Sequence, residues 1–103
     1  PLGIPSWISM NSMCLASGRG KTKVISTMLE FKVDVNVTTR NEFWTPLMYA
    51  AHEGFLEIVK LLVEHKADVH YQRQNDACSS ALACASSKGR GEVVRFLREC
   101  GAK

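Results

Sequence analysis

Gly20-Lys21-Thr22 is the first stretch of the chain with the residue types of a chemical site, because it has the ending of a phosphate-binding loop. Such a loop also needs a glycine five residues before Gly20 and a buried strand leading into it, but Leu15 stands there and no strand-like run precedes it. Gly20 therefore reads as a turn between two helices. The cysteines Cys14, Cys78, Cys84 and Cys100 contain no C-x-x-C pair, and the five residues between Cys78 and Cys84 do not match zinc spacings. Cys14 and Cys84 are expected on short inner helices, where cysteine behaves as a small apolar residue, with Cys100 as the exposed thiol. His52 has Glu53 beside it but no cysteine, aspartate or second histidine at i+4, so it reads as an exposed contact rather than a metal ligand or catalytic base. His65 falls near a helix end, where a cation suits the free carbonyls. No activated nucleophile, carboxylate pair or metal cage is visible at helical spacing. The residues predict a non-enzyme with no catalytic, cofactor or metal site.

What must position these residues is most legible from Thr45 to His70. Thr45 can cap a first turn, Pro46 suits the first helical position, and Leu47, Ala50 and Ala51 give a short apolar face. Gly54 stops that helix, and a second follows with Ile58, Val59, Leu61, Leu62 and Val63 apolar. Helices of about two turns cannot bury such faces alone. Like-shaped neighbours are present. A shift of 34 residues backwards sets Ala16, Gly20, Val24, Ile25, Met28, Asp34, Val35 and Asn36 against Ala50, Gly54, Ile58, Val59, Leu62, Asp68, Val69 and His70. A shift of 35 forwards sets Leu82, Ala85, Gly89, Val93, Val94 and Leu97 against Leu47, Ala50, Gly54, Ile58, Val59 and Leu62.

A helix-turn-helix at this period, headed by T-P-L-x-x-A, resembles the ankyrin-repeat family. The resemblance covers about residues 11–103 and is most specific over 45–70, in the Thr45-Pro46-Leu47 head, the Gly54 turn and the Ala67-Asp68-Val69 ending. It implies an all-α solenoid of about three helix-turn-helix units, about 11–44, 45–79 and 80–103, joined by hairpin-like finger loops. Residues 1–10 match no part of the repeat and read as an N-terminal extension or expression scar. In the first unit Asn11-Ser12 stands where Thr45-Pro46 stands later, with Met13, Leu15 and Ala16 as its inner face and a second helix near Thr22 to Glu30. Asn36 ends that unit, where the plain reading is turn hydrogen bonding and the resemblance implies hydroxylation of the asparagine as the alternative, and His70 replaces the asparagine of the next. The first finger, 33–44, is β-prone and places Phe43 where the family favours glycine, so the usual glycine turn is not expected at its tip. The second finger, 71–79, is longer and polar.

The family resemblance implies recognition of a protein or peptide by finger tips and by the concave face of the first helices. Mapped onto this chain, the contact residues are Arg19, Asn41, Glu42, Phe43, Trp44, His52, Glu53, Arg73, Ser87 and Lys88. Phe43 is balanced between contact and packing, and Trp44 is open to the plainer reading of packing on a helix end. A net charge of +3 and a pI near 8.8 fall far short of a nucleic-acid domain, although Arg19, Lys21, Lys23, Lys88, Arg90, Arg95 and Arg98 leave a weak nucleic-acid surface as one alternative. A structural spacer or capping segment without a partner is another. No apolar run approaches membrane-spanning length, and four cysteines without a secretion signal predict reduced thiols in an intracellular protein, cytoplasmic or nuclear. The chain stops inside the repeat pattern, which predicts a piece of a longer scaffold or regulatory array that self-associates when isolated.

Overall fold

The computed structural model describes residues 10–39, 43–73 and 78–102. They form six α-helices, α1 (Met10–Gly18), α2 (Thr22–Glu30), α3 (Pro46–Glu53), α4 (Leu56–Glu64), α5 (Ala81–Ser87) and α6 (Gly91–Glu99), with no β-strand among the described residues. Each odd-numbered helix pairs with the next even one. The odd helices then stack into an inner row and the even ones into an outer row, in a body 42 × 26 × 21 Å. This is the all-α repeat solenoid expected from the sequence.

Side-chain size explains the two rows. The inner helices bury Ala16, Ala50, Ala51, Cys84 and Ala85, small groups that allow close approach, with Met13, Leu47, Met48 and Leu82 between them. The outer helices bury Ile25, Met28, Ile58, Val59, Leu62, Val93 and Leu97, the stripe that recurs at the repeat period. Inner and outer side chains meet in one continuous apolar core. Leu15, expected on the inner face of α1, is instead 56% exposed. Met13, Ala16 and Ser17 already occupy the buried stripe of that helix, and at about 100° per residue Leu15 falls outside it.

The helix boundaries follow local chemistry. Thr45 Oγ1 accepts a hydrogen bond from the Met48 amide at 3.2 Å, Pro46 begins α3, and Ser80 Oγ caps α5 through the Ala83 amide at 3.1 Å. Asn11-Ser12, expected to cap α1, lies within its first turn because the helix already begins at Met10. At the other end of α3, Gly54 is left-handed, with φ +82°, and its amide and that of Phe55 donate to the Ala50 carbonyl. The outer helices all end in one geometry, with the left-handed position held by Lys32, Lys66 and Gly101. The amides of Val33, Ala67 and Ala102 then reach back to Met28, Leu62 and Leu97.

Neighbouring helix pairs are joined by more than apolar contact. Phe55 lays its ring against Gly20, and Arg90 lays its side chain against Gly54 while Nε donates to the His52 carbonyl at 3.2 Å. Asn36 spans the first junction: Oδ1 accepts from the Asp68 amide at 2.8 Å and Nδ2 donates to the Lys66 carbonyl at 3.4 Å. The Asp34 and Asp68 carboxylates in turn accept the Asn36 and His70 amides, giving both loops the same compact turn.

Candidate functional site

The first finger is narrow at its neck. The Thr39 amide donates to the Trp44 carbonyl at 3.0 Å, the Phe43 amide donates to the Thr39 carbonyl at 3.0 Å, and the Trp44 amide reaches Thr39 Oγ1. Contrary to the expectation from its sequence, Phe43 takes the left-handed conformation of the glycine it replaces, with φ +58°. The residue is 57% exposed, and its carbonyl accepts a hydrogen bond from the Tyr71 hydroxyl at 2.9 Å. Tyr71, which sequence reasoning passed over, thus joins the base of the second finger to the first.

Trp44 is the hub behind Phe43. Its ring lies 4.9 Å from that of Tyr49 and 5.4 Å from the imidazole of His52, both on α3. The Arg73 guanidinium stands 5.7 Å over its face from the second finger, an arrangement favoured by the ring quadrupole. His52 Nδ1 and Glu53 Oε2 are 2.9 Å apart, with side chains 28% and 42% exposed, so the pair becomes an ion pair when the imidazole is protonated. Tyr49 was also missed from sequence. Its signal was its position, one turn before His52 on the helix that follows Trp44.

Among the ten residues expected at the site, Trp44, His52, Glu53 and Arg73 meet in this cluster, and Phe43 projects beside it. Arg19, Ser87 and Lys88 are exposed at the C-terminal ends of α1 and α5, flanking the end of α3. Asn41 and Glu42 lie outside the described residues. Among the described residues no group of three or more histidine, cysteine or acidic side chains could hold a metal, and no helix is long and apolar enough to cross a membrane.

The cysteines divide differently from expectation. Cys14 is buried, and burial pushes its thiol from the ordinary 9.0 up to about 11. Its Sγ lies 3.8 Å from the Trp44 carbonyl. Cys100 is half-buried. Cys78 and Cys84, expected as reduced thiols, are joined by a disulfide. Their sequence separation hides how the chain reverses at the Ser80 cap and sets Cys78 against the first turn of α5, with Cα atoms 4.3 Å apart.

A family model described as ankyrin repeats in three copies matches residues 12–103. The chain is 34% identical over 91 residues, 88% of its length, to human ankyrin repeat and KH domain-containing protein 1. It is 36% identical over 86 residues to the Drosophila melanogaster ankyrin repeat and KH domain-containing protein mask, and 33% identical over 73 residues to the mouse 2-5A-dependent ribonuclease. It spans only 4%, 2% and 10% of the lengths of these relatives. Capped inner helices, a repeated outer stripe, paired loops and a match over nearly the whole chain agree, and the protein belongs to the ankyrin-repeat family.

Proposed function

We propose that this chain binds a protein or peptide through the first finger and the inner-helix surface around Trp44. Ankyrin repeats are in general protein–protein interaction modules, and the similarity to the mouse 2-5A-dependent ribonuclease reaches only 10% of that protein's length. The observation that carries the reading is Phe43. An aromatic residue more than half exposed, on a backbone conformation that disfavours side chains, is unfavourable twice over for folding. Both costs are understandable if the ring is covered by a partner. Beside it, Trp44 and Arg73 are the side-chain types that dominate binding energy, and His52, Glu53, Arg19, Ser87 and Lys88 supply a polar rim of mixed charge. Residues Asn41 and Glu42 belong to the same proposed surface. The mixed signs favour a polar peptide or folded protein over a uniformly charged polymer.

The test is affinity capture with the wild-type chain, with Phe43→Ala and Trp44→Ala, and with Lys60→Ala on the outer row as a control. Partners of the proposed surface are retained by wild type and the control and lost by both aromatic variants. For a purified partner, truncating an anchor weakens binding by about 2 kcal/mol, roughly thirtyfold. An identical set of proteins on all four baits would overturn the reading. Capture abolished by nuclease or by moderate salt would instead favour a nucleic-acid surface.

A further inference from the structure

The disulfide lies on the polypeptide segment that positions Arg73. Cys84 belongs to α5 and is fully buried, while Cys78 is only partly buried in the second finger. The bond therefore ties the returning limb of that finger to the inner row. The same limb holds Arg73, whose amide donates to the Ser79 carbonyl at 2.7 Å and whose Nε donates to the Cys78 carbonyl at 3.4 Å. Arg73 in turn stands over Trp44. A cross-link, two hydrogen bonds and a cation–π contact thus run in series from α5 to the aromatic cluster.

The helix does not depend on that cross-link for its place. Ser80 caps α5, and Ala81, Leu82 and Ala85 bury its apolar face without the disulfide. The ring closed by the bond spans a sequence separation of only six, so it restricts the unfolded chain much less than a long cross-link would. What the bond adds is local: it fixes Cys78 and Ser79, the acceptors of Arg73.

We propose that Cys78–Cys84 is a reversible thiol–disulfide site that governs the seating of Arg73 on Trp44, and so regulates the binding surface. The regulatory part rests on the binding function proposed above. The co-reactant is a small thiol of the glutathione class. Its thiolate attacks Cys78 Sγ, on the less buried of the two residues; the S–S bond breaks, and its electron pair leaves on Cys84 Sγ, which takes a proton from water. A second small thiolate attacks the small-molecule sulfur of the mixed disulfide. Cys78 leaves as a thiolate and is protonated, and the two small thiols depart oxidised as their own disulfide. The reverse sequence, with Cys84 resolving a mixed disulfide on Cys78, restores the bond.

The experiment uses the full chain carrying Trp7→Phe, which makes Trp44 the sole tryptophan. The protein is equilibrated with oxidised glutathione or with dithiothreitol, and thiols are counted by alkylation in denaturant and mass measurement. The expected result is two alkylated cysteines in the oxidised protein and four after reduction, with the same helical circular dichroism. Reduction should raise acrylamide quenching of Trp44 roughly twofold as the finger opens locally. Cys78→Ser should show the higher value in both conditions. Arg73→Ala should show it even with two cysteines alkylated, which separates the arginine from the bond. Four alkylated cysteines after equilibration with oxidised glutathione would overturn the proposal. So would Trp44 quenching that does not change on reduction. Neither readout uses a partner, so failure to find one leaves this result decided on its own.

Discussion

Gly54 and Gly89 occupy equivalent turns with similar left-handed backbones, φ +82° and +71°, but different surroundings, and alanine at each separates conformation from packing. A Cβ on Gly89 meets nothing within 4 Å. Its substitution carries only the left-handed penalty of about 1–2 kcal/mol, offset by about 0.4–1 kcal/mol because alanine restricts the unfolded chain. The expected loss is about 0.5–1 kcal/mol. A Cβ on Gly54 also comes within 2.8 Å of Arg90 Cδ and 3.1 Å of Nε. Arg90 must then swing away and give up its bond to the His52 carbonyl, adding about 1–1.5 kcal/mol, for a total of about 2 kcal/mol. Urea unfolding followed by circular dichroism measures both losses. In an Arg90→Ala background the Gly54→Ala loss should fall to the level of Gly89→Ala, since the obstructing side chain is gone. Equal losses for the two single variants, or no change in the Arg90→Ala background, would refute the argument that Arg90 locks the second turn to the third.

Leu62→Ala should cost about 2–5 kcal/mol in denaturant unfolding, because Leu62 is fully buried in the central outer helix; a loss under about 0.5 kcal/mol would place it outside the core. Lys66→Gly should raise the urea midpoint, by about 0.5–1 kcal/mol of stability, since φ +75° disfavours a side chain and Lys66 is exposed; an unchanged or lower midpoint would remove the strain. The Cys14 thiol is raised from 9.0 to about 11, so unfolding releases its proton at lower pH. Its contribution is complete below pH 9 and is lost as pH rises through 11, a swing on the order of 2 kcal/mol. Unfolding of reduced wild type and Cys14→Ala across pH 8–11 checks this: the wild type should lose the more stability, and parallel profiles would contradict it.

The repeat was legible because its signals are local. Thr45, Pro46 and Gly54 announce helix ends through capping groups and backbone freedom, and the outer stripe recurs in sequence as it does in space. Lys32, Lys66 and Phe43 were not legible as left-handed residues, because nothing in their side chains favours that conformation. It is imposed by the surrounding bonds, from Ala67 back to Leu62 and from Phe43 to Thr39. The aromatic cluster was half legible. Trp44 and His52 stand near the helix that presents them, but Arg73 reaches Trp44 only because two fingers lie side by side. Tyr71 and the Cys78–Cys84 bond escaped for the same reason: their partners are set by how loops fold back, and sequence spacing carries no record of it.

The Asn36 bridge makes one proton a gauge of another part of the molecule. The Asp68 amide follows α4, yet its acceptor is a side chain from the loop after α2. Its exchange with solvent deuterium therefore follows separation of the first two helix pairs as well as unravelling of its own turn. Where the array parts at that seam while both pairs stay folded, Asp68 exchanges early and the amides inside α4 stay protected. A single backbone position thus tells a sliding or peeling solenoid from one that melts as a unit.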